Sequence, residues 1–179
     1  EYATQTACVL AVHFGISDNI AETAKQLNEL VTECGHLKTG FVGTPYLLHA
    51  LADNGYNETA YSLILREEYP SWGYMIQHGA TTVWERFELK KEDGMNSHNH
   101  PMYGSVYKWL YGTLCGIKPV APGCAEFEIA PHYPSGLLSA QAHVDTIKGQ
   151  VSVRWVKRFG HTGLYVTVPF GAKAHIRLP

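Results

Sequence analysis

A chain of 179 residues, 45% of them apolar, can bury a core and is no disordered tail. Fourteen basic against sixteen acidic side chains give a formal charge of −2, with no basic block that would track a nucleic-acid backbone or an anionic membrane. No run approaches the roughly 18 apolar residues of a membrane span, and the composition points to neutral partners.

In Glu1 to Phe14 the residues Ala7, Leu10, Ala11 and Phe14 recur at helical spacing, with Gly15 placed to stop the helix. A helical period running from the first residues predicts a segment preceded by more chain. Ser17 or Asp18 is placed to cap a second helix with apolar positions Ile20, Ala24, Leu27, Val31 and Cys34, ended by Gly35. The short turn between the two predicts an antiparallel hairpin. A loop then leads to Thr44-Pro45, read as N-cap and first residue of a third helix, Tyr46 to Asp53. Asn54-Gly55 stops it, and Asn57 is placed to cap a fourth helix, Glu58 to about Glu68, closed by Pro70. Paired helices without a shared repeat sequence predict a toroid of helix hairpins rather than a period-locked solenoid.

The stretch Tyr69 to Asn99 breaks this pattern with extended or irregular backbone rich in aromatic rings. Glu85 lies within it beside Trp84, after the small, β-leaning run Ala80, Thr81, Thr82 and Val83. A carboxylate among rings suits sugar chemistry, because ring faces hold a pyranose while the acid moves protons. Lys90, Lys91, Glu92 and Asp93 read as a solvated turn. After Pro101 a helix resumes, with Val106, Trp109, Leu110, Thr113 and Leu114 on one face and Gly116 as its stop.

The period then changes from helical to alternating. Candidate strands are Glu126 to Ile129, Leu137 to Val144, Gln150 to Trp155, Leu164 to Val168 and Ala174 to Leu178, punctuated by glycines. The expected fold is therefore mainly α and then β. Residues 1–116 form the helical part and 117–179 a small antiparallel, sandwich-like module. Cys8, Cys34, Cys115 and Cys124 have no metal-ligand spacing and read as buried free thiols.

Five segments in order resemble the C-terminal end of a bacterial α-L-rhamnosidase of glycoside hydrolase family 78. They are Thr39-Gly-Phe-Val-Gly-Thr-Pro45, Tyr69-Pro-Ser-Trp-Gly-Tyr-Met-Ile76, Gly79-Ala-Thr-Thr-Val-Trp-Glu-Arg86, Met95-Asn-Ser-His-Asn-His100 and Tyr103-Gly-Ser-Val-Tyr-Lys-Trp-Leu-Tyr111. The resemblance implies a partial (α/α)6 toroid followed by a β-sandwich, and hydrolysis of terminal α-L-rhamnosides with inversion. Glu85 matches the family's general base. The family's general acid lies upstream, in an acid-rich loop without a counterpart in these residues. A rhamnose-containing glycoside is the implied partner, together with the upstream part of the same enzyme. Neither nucleic acid nor membrane is implied, and no cofactor.

An ionised base needs a nearby cation or hydrogen-bond donors. Arg86, adjacent in extended backbone, would face away from Glu85, so His100 is the better candidate, and the family likewise places a histidine near its base. His98 and His100 lack a third ligand at a usual spacing, so no metal is expected. Trp84, Trp72, Tyr74 and Phe41 are candidate sugar-stacking platforms, whereas Trp109 and Trp155 read as core. Asn96 and Asn99 are candidates for sugar hydroxyls, although turn asparagines often bond their own backbone. Two other functions fit the residues: a non-catalytic carbohydrate-binding or packing segment, and a helical-toroid hydrolase for another sugar.

Overall fold

The computed structural model describes residues 4–89 and 97–178. The chain folds as two compact units that divide between Val106 and Tyr107. Among the described residues, no helix is long and apolar enough to cross a membrane.

The first unit is built from α1 (Gln5–His13), α2 (Ile20–Cys34), α3 (Gly40–Ala52), α4 (Asn57–Leu65) and the short α5 (Trp72–Gln77). Helix α1 packs on α2 and α3, and α3 on α4. Thr4 caps α1 by accepting from Ala7 N–H. At the other end Ile16 N–H reaches Ala11 O and Gly15 N–H reaches Val12 O, with Gly15 at φ 64°, which is the Schellman arrangement. The buried side of α1 is Cys8, Val9, Ala11 and Val12, while Phe14 is exposed. The expected face was displaced because this helix is apolar almost all round, and periodicity cannot select a side.

Helix α2 buries Ala24, Leu27 and Val31 as the spacing predicts, and Gly35 ends it at φ 69°. Its cap is Asn19, which accepts from Glu22 N–H, rather than Ser17 or Asp18. Ser17 instead braces the turn, accepting from Asn19 N–H and bonding the Thr23 hydroxyl at 2.7 Å. Gln5, 4% exposed, ties α1 to the end of α2: its amide donates to Leu30 O and His36 O, and its carbonyl accepts from Lys38 N–H at 2.6 Å. A buried amide satisfied at both ends specifies one docking of these helices.

Helix α3 starts well before the expected Thr44 cap, and Pro45 is its sixth residue. The Thr44 hydroxyl turns inward, donating to Gly40 O at 2.7 Å and meeting the Thr39 hydroxyl at 2.8 Å. A residue that reads as an N-cap is thus a buried helix-internal contact, with its hydroxyl satisfied by the preceding turn. Asn57 is likewise the first residue of α4 rather than its cap. Part of the stretch expected to be irregular is helical: Ser71 accepts from Tyr74 N–H and nucleates α5. Gly73 lets this helix approach the preceding chain, since a Cβ there would stand 2.3 Å from Arg66 O.

A 3-10 turn (Met102–Ser105) leads to α6 (Val106–Trp109), which relaxes into a π turn (Leu110–Leu114) and ends before Gly116 at φ 74°. Two three-stranded sheets follow, in the orders β1-β2-β6 and β3-β4-β5. The strands are β1 (Ile117–Pro119), β2 (Glu126–Ile129), β3 (Ser139–Thr146), β4 (Gly149–Arg158), β5 (His161–Thr167) and β6 (Lys173–Ile176). All pairs are antiparallel except β2 with β6, which run parallel. Ile117, Phe127, Ile129, Val151 and Val153 form the core between the sheets. Trp155 is fully buried and donates its indole N–H to Leu114 O, so the β module is pinned to the end of its own lead-in helix.

The β4–β5 turn places Phe159 and Gly160 both at positive φ, 50° and 78°, the geometry of a two-residue type I′ turn. Phe159 is wholly exposed, so its ring contributes no packing against its strained backbone. Phe159→Asn is expected to raise unfolding free energy by roughly 1 kcal/mol in urea denaturation, the order of a relieved left-handed residue. Cys115 supplies a second test. Burial pushes its thiol from the ordinary 9.0 to about 11. The unfolded chain ionises this thiol first, so its contribution to stability is complete below pH 9 and is lost as pH rises towards 11. Timed alkylation at pH 9 with mass spectrometry is expected to modify Cys115 more slowly than the half-buried Cys124.

Candidate active site

Glu85 is held by two short segments that satisfy each other without forming a regular sheet. Residues 82–85 run against residues 97–100: Glu85 N–H donates to Ser97 O at 2.9 Å, and His100 N–H donates to Val83 O at 2.8 Å. Beside these bonds the Thr82 hydroxyl donates to His98 O. Ser97 N–H donates in turn to Glu85 Oε2 at 2.9 Å, so one residue fixes both the backbone and the carboxylate of Glu85. Ser97 is itself locked by a local turn, its hydroxyl accepting from Asn99 N–H and donating to Asn99 O, both at 3.2 Å.

The rings near this pair form two groups, the Trp84–His98 stack and a chain running from Trp72 to His100. Trp84, 3% exposed, stacks on His98 with centroids 5.1 Å apart. Trp72 is 8% exposed, donates its indole N–H to Tyr103 O at 2.8 Å and meets Phe87 edge-on. Phe87 stacks on Tyr103 at 4.2 Å, Tyr103 lies against Phe41 at 6.1 Å, and Phe41 lies against His100 at 5.7 Å. Phe41 is 47% exposed and brings this chain of rings out to solvent. The His100 Nδ1 accepts from Met102 N–H at 3.3 Å, so a neutral ring carries its proton on Nε2.

A second polar cluster flanks α5. Glu88 accepts from Arg86 at 3.1 Å and from the Tyr69 hydroxyl at 3.5 Å. Both Tyr69 and Tyr103 are shifted up, first by burial and then by the negative charge of Glu88. Tyr74 belongs to this side, edge-on to Tyr69 and stacked on His78 at 3.9 Å.

The geometry thus brings Glu85, Trp84 and His100 onto one paired scaffold, with Asn99 exposed beside them. Phe41 joins it by lying against His100, and Trp72 follows through Tyr103 and Phe41, whereas Tyr74 lies with the Glu88 cluster. The described partner of the Glu85 carboxylate is Ser97 N–H rather than His100, and Arg86 is engaged by Glu88. Trp72 and Trp84 have their rings buried in packing, which leaves Phe41 as the open platform of the three aromatic candidates on this side. Lys90, Lys91, Glu92, Asp93 and Asn96 lie outside the described residues. Ser97 and Tyr103 escaped the sequence reading because one acts through its backbone and the other through burial. Their only sequence signal is membership of the quoted segments. Among the described residues, no three His, Cys, Asp or Glu side chains gather as metal ligands.

Residues 1–114 match the family described as the bacterial alpha-L-rhamnosidase 6 hairpin glycosidase domain, and residues 116–179 match the bacterial alpha-L-rhamnosidase C-terminal domain. The alpha-L-rhamnosidase of Alteromonas sp. (strain LOR) is 39% identical over 98% of this chain and 20% of its own length. An alpha-L-rhamnosidase of Formosa agariphila is 40% identical over 99% of this chain and 20% of its own length. The crystal structure of the Streptomyces avermitilis alpha-L-rhamnosidase complexed with L-rhamnose superposes with a TM-score of 0.90 at 37% identity, covering 97% of this chain and 18% of that one. The chain spans about a fifth of the length of the relatives it matches. With both family domains matched end to end along its sequence, this chain belongs to the bacterial α-L-rhamnosidase family.

Proposed function

We propose that this chain supplies the general base of an enzyme that hydrolyses terminal α-L-rhamnosides with inversion of configuration. The observation that carries the proposal is the Glu85 carboxylate, fixed by Ser97 N–H on a paired scaffold that also carries the Trp84–His98 ring stack. The names of the relatives, and L-rhamnose in the Streptomyces avermitilis structure, support the sugar.

In this reading Oε2 is held by Ser97 and the carboxylate takes a proton from water as that water attacks the anomeric carbon. Inversion requires a second carboxyl group about 6.5–9.5 Å away on the opposite ring face, which leaves room for the water. We propose that this acid comes from a further part of the enzyme, consistent with the fifth of the relatives' length spanned here. His100 orients the base through its backbone bond to Val83 and presents Nε2–H towards the sugar. Phe41 offers a face to the apolar side of the ring, and Asn99 offers its amide to hydroxyls. Trp84 and Trp72, both buried, support the site from within the packed interior. The proposed division of the chain is 1–116 and 117–179, supported by family matches that end at 114 and begin at 116.

In the full-length enzyme, Glu85→Gln keeps the shape of the side chain and removes its basicity. Turnover of an aryl α-L-rhamnoside is expected to fall by about a hundredfold to ten-thousandfold, the usual worth of a general base, while rhamnose still binds. Turnover within threefold of wild type would overturn the assignment. Ser97→Pro removes the N–H that fixes Oε2. It is expected to lower kcat by roughly a hundredfold at most, with a smaller change in KM, read from the same assay.

A further inference from the structure

The β3-β4-β5 sheet presents one face to the core and a polar, aromatic face to the outside. Along β4, Val151, Val153 and Trp155 point inward, so Gln150, Ser152 and Arg154 point outward. Register carries this outward set across the sheet. Gln141, Arg154 and Tyr165 share one rung, and His143, Ser152 and Thr167 share the next. Together they line a shallow depression of about 330 Å³.

Tyr165 is 63% exposed, and its ring leans along its own strand over Gly163, whose position would bring any Cβ within 3.4 Å of the ring. A Cβ at 163 would meet the ring in ordinary van der Waals contact, so the ring lies close against its own strand. The Arg154 guanidinium stands 5.9 Å from the ring centroid and holds it from the neighbouring strand. The result is an aromatic platform with planar hydrogen-bonding groups beside it on the same rung. Arg154 brings five N–H donors, and Gln141 both donates and accepts.

We propose that this face is a second carbohydrate-binding surface, distinct from Glu85, on which a neutral sugar ring stacks against Tyr165 while Arg154 and Gln141 bond its hydroxyls. The lining selects this class of ligand over others. Among the described residues, Arg154 is the only side chain of fixed charge lining the depression, too little to hold a polyanion. Among the described residues, Tyr165 is the one large exposed apolar side chain of the lining, with Ser152, Thr167 and His143 beside it, too small a patch for a protein or lipid partner. A pyranose matches both halves of the surface, its C–H face on the ring and its hydroxyl edge on the planar groups.

Affinity electrophoresis of the full-length protein tests this, through native gels containing a soluble rhamnose-bearing polysaccharide or a neutral glucan. The choice of the first probe rests on the proposed function, while the surface itself does not. Wild type is expected to be retarded in at least one gel. Tyr165→Ala should weaken that retardation at least tenfold and Tyr165→Phe should keep it, with kcat/KM on a small aryl rhamnoside unchanged in both. Equal retardation of Tyr165→Ala and wild type would overturn the proposal, as would wild type running unretarded in both gels. Loss of retardation in Tyr165→Ala would sustain it even if Glu85→Gln left turnover intact, so the two readings fail separately.

Discussion

The double engagement of Ser97 with Glu85 is the constraint on which the site depends. A carboxylate in irregular backbone has no helix or sheet to aim it, and the chain solves this by pairing two loops. Glu85 N–H and Ser97 O close one bond and Ser97 N–H and Glu85 Oε2 close the next, so the ladder ends on the side chain instead of a carbonyl. Whatever positions residues 97–100 therefore positions the carboxylate. That task falls to the ring stack of Trp84 on His98 and to the bond from His100 to Val83. For the proposed reaction, pre-organisation of this kind would cost nothing at the moment of proton transfer, because the oxygen is already oriented.

The rings divide into support and surface. Trp72, Phe87 and Tyr103 are buried and interlocked, with the indole N–H satisfied by a backbone carbonyl, so they form the floor beneath the loops. Phe41 rises from that floor to solvent from the first turn of α3, and it does so because α3 begins at Gly40 rather than at Thr44. The inward turn of the Thr44 hydroxyl is thus connected to where an aromatic face is presented. In the C-terminal unit the same logic operates with period two: Val151, Val153 and Trp155 build the core, and the intervening residues are left for the outer face.

Much of this was legible in the sequence where one signal dominated. The span of α2, with Gly35 behind it, and the alternation of β3 and β4 follow from clear periodicity with matching turn residues. Reading failed where two physical roles share a residue type. Thr44-Pro45 has the chemistry of a helix start, yet its hydroxyl finds a better partner in Gly40 O. The face of α1 was misjudged because nearly every side of it is apolar. Strand β1 was missed because three residues carry too little pattern to be distinguished from the end of a helix. At the site, Glu85, Trp84 and His100 stood out as side chains, but the N–H of Ser97 has no signature, since every residue except proline carries the same donor.

In the proposed mechanism Glu85 activates a water for attack opposite the departing group. Chemical rescue tests it most directly, because a small anionic nucleophile needs no base. With Glu85→Ala in the full-length enzyme and sodium azide added to an activated aryl α-L-rhamnoside, turnover should recover and proton NMR should show β-L-rhamnosyl azide as the product. Formation of the α-azide, or hydrolysis by Glu85→Ala at the wild-type rate without azide, would contradict it.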